Sequence, residues 1–91
     1  MAFTATLTNK RVIEGGKVEE FYDWVADSGT TTGNIVADTA TQPEIIKIED
    51  ADVSSNGDTD VQKAYDVAAS TLKLTFTAND SGTAKIVGKA A

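Results

Sequence analysis

The chain has 91 residues, 8 basic against 14 acidic, a net charge of −6, and neither histidine nor cysteine. That length supports one domain. The composition rules out disulfides, thiolate or imidazole metal sites, and any side chain that ordinarily titrates near neutrality. A negative field opposes contact with nucleic acid or an anionic membrane and favours solubility, or contact with a basic partner.

Thirteen threonines against one proline and one methionine suit pleated, half-exposed strands. A domain of this size buries about 60–65% of the surface of its unfolded chain, which leaves little core to spare for a deep cavity. Residues 1–11 lack a basic stretch followed by an apolar run, so no signal peptide is expected. No apolar segment approaches the roughly 20 residues needed to cross a bilayer. The expectation is a soluble chain made in the cytoplasm.

Phe3, Ala5 and Leu7 alternate with Thr4, Thr6 and Thr8, the period of a half-buried strand. Val12 and Ile13 continue it to Gly15-Gly16, which predicts a two-residue hairpin turn because both positions tolerate positive φ. Val18 to Ala26 returns. The two-residue loop sets Glu14 beside Lys17, Ile13 opposite Val18, Arg11 opposite Glu20 and Leu7 opposite Trp24, so that charges and apolar groups each meet complements.

Residues Asp27–Gly33 are turn formers and predict a loop. Asn34–Ala37 predicts a short strand and Thr39–Pro43 a second loop. Glu44–Glu49 predicts a strand with Ile46 and Ile48 on one side and Lys47 and Glu49 on the other, although Ile45 breaks the alternation. Ser54–Asp60 is polar and reads as a loop. Val61–Ala69 fits both helical and alternating spacing, and extended or irregular chain, with room for one helical turn, is favoured.

The segment Leu72–Ala90 alternates most clearly. Leu72, Leu74, Phe76 and Ala78 share one parity, and Ala84, Ile86 and Gly88 resume it beyond Asn79-Asp80-Ser81-Gly82. The prediction is a hairpin with Gly82 in the left-handed region, Phe76 opposite Ile86, Leu74 opposite Gly88 and Ala78 opposite Ala84. Gly88 would leave a gap over Leu74 for another strand or subunit to fill.

Asp52, Ser54, Asn56, Gly57, Asp58 and Asp60 follow the oxygen-ligand and glycine spacing of a calcium loop, but Lys63 stands where a bidentate glutamate is needed. A solvated loop is the plainer reading, and no cofactor is expected. The carboxylates Glu19, Glu20, Asp23, Asp27, Asp38, Glu44, Glu49 and Asp50 read as a solvated face rather than an acid–base pair. Nothing marks a nucleophile. Tyr22 and Trp24 share one face of the second strand, where they could stack on a sugar, pack in the core or line an interface. Asn79-Asp80-Ser81 is a formal glycosylation sequon within the turn.

Thr32-Gly33-Asn34-Ile35, following a Ser/Gly/Thr loop, resembles the TGGxI segment of short virion proteins of tailed phages, with Asn34 in place of the second glycine. Thr77–Ala84, continued to Val87-Gly88, resembles their closing hairpin, and Thr8-Asn9-Lys10 followed by Val12 also fits. The resemblance implies a small all-β component of a bacteriophage particle, a capsid decoration (cement) or spike protein, with capsid or other virion proteins as partners. It implies an oligomer, a trimer or another cyclic assembly, and no catalytic residue.

The fold expected is a single all-β domain over residues 1–91, an antiparallel β-sandwich or flattened barrel of six to eight short strands. The function expected is that of a non-enzymatic virion structural protein, with exposed edges and the Tyr22/Trp24 face as contacts. The alternative is a small binding module for carbohydrate or calcium.

Overall fold

The alternation of Phe3, Ala5 and Leu7 becomes β1 (Ala2–Ile13), which turns back into β2 (Lys17–Asp27). The structure, a computed structural model, describes residues 2–37, 45–57, 61–66 and 70–90. The other described strands are β3 (Thr32–Val36), β4 (Ile45–Ser55), β5 (Gln62–Asp66), β6 (Thr71–Thr75) and β7 (Ser81–Ala90). They form two antiparallel sheets, one ordered β1-β2-β7-β4 and the other β3-β6-β5. A single core of buried side chains lies between them. The all-β sandwich is therefore observed, and its 38 Å long dimension matches the reach of a 12-residue strand at about 3.3 Å per residue.

The first hairpin forms with a different register. Three residues, Glu14-Gly15-Gly16, span the turn, with φ of 81° and 73° at the two glycines. Ile13 therefore faces Lys17 rather than Val18, and Arg11 faces Glu19 rather than Glu20. A shift between Leu7 and Asn9 then sets Leu7 opposite Tyr22 and Ala5 opposite Trp24. Such a bulge reverses side-chain parity along a strand. Phe3, Ala5 and Leu7 consequently share one face with Lys10 and Val12, whose register partners are Glu20 and Val18, and Val12 stays 60% exposed there.

The predicted closing hairpin does not form. β6 pairs with β3 and β5, whereas β7 pairs with β2 and β4 in the other sheet. Alternation identifies the buried face of a strand but not its neighbour, and here the short connection crosses between layers. Asn79, not Gly82, takes the positive φ, at 63°. The crossing is pinned from both sides: the Ala26 amide donates to Asp80 O (2.8 Å), the Asn56 amide to Ser81 O (2.7 Å), and the Ser55 hydroxyl to the Asp80 carboxylate (2.5 Å).

The glycines of β7 serve close approach. A side chain at Gly82 would collide with the Ser54 carbonyl and the Trp24 ring. One at Gly88 would strike Ile45 and the Lys47 carbonyl; Gly88 faces Val18 and Ile48 rather than Leu74, so the expected gap above Leu74 does not form.

β4 continues through Ser55, so the first two residues of the predicted polar loop, Ser54 and Ser55, are strand. Its register shifts between Ile45 and Lys47 and again between Ile48 and Asp50. Each shift adds one residue. Ile45, Ile48 and Ala51, three apart in sequence, all reach the core, and Ile46 is left 50% exposed. Ile46 and Ile48 thus do not share a face. The extended reading of Val61–Ala69 holds over β5, and Asn34–Ala37 falls largely on β3. The loop Thr39–Pro43 and residues 67–69 lie outside the described residues.

Candidate contact surface

Tyr22 and Trp24 do share a face, and it is the inner one. β2 is a central strand of its sheet, so the opposing layer covers its core side. Trp24 is 2% exposed and Tyr22 5%. The Trp24 ring stacks on Phe76 at 4.9 Å and on Phe3 at 6.0 Å, and its indole N–H donates to Thr83 O at 3.2 Å. Both side chains belong to the core. A stacking platform for sugar, or an interface formed by their rings, is corrected on this burial.

The calcium spacing does not curl around a point. Asp52 and Ser54 lie in β4, in register with Lys85 and Thr83 of β7, and Asn56 follows in the turn. Along a strand, alternate residues stand about 6.5–7 Å apart, too far to converge on one ion at about 2.3–2.6 Å each. The Ser55 hydroxyl binds Asp80 and accepts from the Gly57 amide at 3.0 Å. Asp58 and Asp60 lie outside the described residues. Among the described residues, no three acidic groups cluster as metal ligands would.

One polar cluster escapes a reading by alternation. Glu20 is fully buried on the core face. Its carboxylate accepts from the Tyr22 hydroxyl at 2.6 Å, and the Lys10 ammonium stands 3.5 Å away. The bulge after Leu7 is what turns Lys10 inward to meet it. The sequence signal is the pair of basic residues Lys10-Arg11 facing the pair of acidic residues Glu19-Glu20 across one turn.

Arg11 and Glu19 occupy the opposite, outer face. Glu19 is held by Arg11 Nε at 2.5 Å and Lys85 Nζ at 3.0 Å, and those two cations also flank the Phe21 ring at 5.5 and 5.9 Å. The Lys85 hydrogen bond, then that of Arg11, lowers the Glu19 carboxyl below the usual glutamate range. Glu49 is lowered likewise, chiefly by its hydrogen bond to Lys17 at 3.0 Å. These groups neutralise one another across β1, β2, β4 and β7 and make the outer face a laced, charged surface.

The edges of the two sheets differ. β1 and β4 border the four-stranded sheet, and both carry register shifts. β3 and β5 border the three-stranded sheet and pair with β6 without any shift. All four edge strands show an exposed apolar side chain, Val12 on β1, Ile46 on β4, Val36 at 56% on β3 and Tyr65 at 38% on β5, so the difference lies in the bulges. Bulges guard an edge against further pairing, and flat edges admit it. The described residues enclose no cavity that would take a small molecule.

No protein-family model, curated protein or solved structure matches the chain.

Proposed function

We propose that this chain is a non-enzymatic structural protein of a tailed-phage virion, a capsid decoration (cement) or spike component that acts through protein–protein contacts. The observation that carries the reading is the pair of flat, partly apolar edges, Val36 on β3 and Tyr65 on β5, in a sheet whose neighbour has bulges on both of its own edges. The resemblance around Thr32–Ile35 and Thr77–Gly88 supplies the virion setting. The acidic balance suits a basic patch on a shell. In this reading the chain is an oligomer and its partner is the capsid surface.

The test is twofold in material and single in outcome. Particles purified from the source culture should contain the chain in fixed proportion to the shell protein by mass spectrometry. The recombinant chain should also cosediment with shells that lack it. A chain missing from purified particles and left in the supernatant would overturn the assignment.

A further inference from the structure

We propose that β5 is a self-pairing edge: it adds, antiparallel and across a two-fold axis at Ala64, to β5 of a second copy of this chain. The inference names a partner for the edge described above. It rests on the self-association in the proposed function but not on the virion setting.

β5 is the most open strand of the fold. Gln62, Lys63, Ala64 and Tyr65 are all exposed, and among the described residues no strand lies beyond it. Its pairing with β6 is regular from Gln62–Thr75 to Asp66–Thr71. β1 and β4 carry bulges, and β3, though flat, buries Ile35 and half-buries Gly33 under the Phe3 ring, so less of it is exposed than of β5.

The sequence of β5 is complementary to itself. A two-fold axis at Ala64 sets Ala64 against Ala64, Gln62 against Asp66, and Lys63 against Tyr65, each of the unlike pairs occurring twice. No like charges meet. Gln62, Ala64 and Asp66 lie on the face that β6 continues with Thr75, Lys73 and Thr71. There the amide of Gln62 donates to the carboxylate opposite.

Lys63 and Tyr65 lie on the other face, towards the four-stranded sheet. The Lys63 ammonium donates to the Ala51 carbonyl of β4, which holds its aliphatic stem along the rim where the second copy's Tyr65 ring settles. Registers displaced by two residues lose these pairs. Central alanines allow the backbones to approach, and main-chain hydrogen bonds then join two three-stranded sheets into one of six. The contact is isologous and closes on itself.

The chain has no cysteine, so a single introduced thiol reports the register. Ala64→Cys should form a disulfide-linked dimer under mild oxidation, because directly opposed residues have Cα atoms about 4.5–5.5 Å apart, within the reach of a disulfide. Asn34→Cys on β3 is the control and should stay monomeric on a reducing-agent-free gel. Without oxidant, Gln62→Lys should tighten self-association by roughly tenfold in sedimentation, since it faces Asp66. Gln62→Asp should weaken it by a similar factor.

Crosslinking at Asn34→Cys but not at Ala64→Cys, or charge variants with identical association, would overturn the proposal. So would a wild-type chain that is monomeric at every concentration. Shell binding measured on the same variants separates the two readings: shells bound by a chain that fails to crosslink at position 64 refute the β5 contact alone.

Discussion

The Glu20 carboxylate is fully buried yet keeps the Lys10 ammonium and the Tyr22 hydroxyl beside it. Removing one member of a buried ionic group leaves another without compensation, a loss of about 3–5 kcal/mol. Glu20→Ala should therefore lower the unfolding free energy by that amount in a denaturant titration. Lys10→Met combined with Glu20→Leu should recover most of it, since apolar replacement of both partners is often neutral. A single variant within about 0.5 kcal/mol of wild type would show that the cluster is solvated. On the outer face, the lowered Glu19 and Glu49 carboxyls bind protons more weakly when folded than when unfolded. Stability from them is complete above the ordinary glutamate range, about 4.3, and is lost as pH falls through the lower folded values. Melting temperature should drop on acidification below about pH 5, and less steeply for Glu19→Gln. An unchanged acid slope in that variant would remove Glu19 from the account.

At the level of strands, alternation marks β2, β6 and β7 and their core faces, and β1 as far as Leu7, where a bulge reverses the parity. It failed at β4, where two bulges stretch the spacing of Ile45, Ile48 and Ala51 to three. A residue-by-residue pattern has no marker for a bulge on an edge strand. It failed again at β6 and β7, whose faces were legible but whose neighbours were not, since sheet membership depends on segments distant in sequence. Tyr22 and Trp24 were legible as one face. That this face is the core follows only from the layer packed over it. Tyr65 was hidden in a stretch compatible with helix, so the flat β5 edge could not be read before the pairing was known. The bulge reading of β4 has a direct consequence. Ile46→Asp should change stability by no more than about 0.5 kcal/mol, whereas Ile48→Asp should unfold the domain, as judged by circular dichroism and a thermal melt. Equal damage from the two would mean that both side chains face inward and that the first bulge is absent.

For the whole molecule, the two sheets divide the work. The four-stranded sheet has bulged edges and an ion-laced outer face, features that discourage further strand pairing. The three-stranded sheet has flat edges with Val36 and Tyr65 exposed, and the proposed contacts with other chains are placed there. The proposed role follows from this asymmetry: a small domain whose output is adhesion at an edge, fixed in shape by the Phe3–Trp24–Phe76 stack and the Asp80 crossing. Sedimentation velocity of the unmodified chain over about a hundredfold range of concentration tests this claim most directly. A mass-average that rises above the monomer with concentration and returns on dilution is expected. A single monomer boundary across the whole range would contradict it.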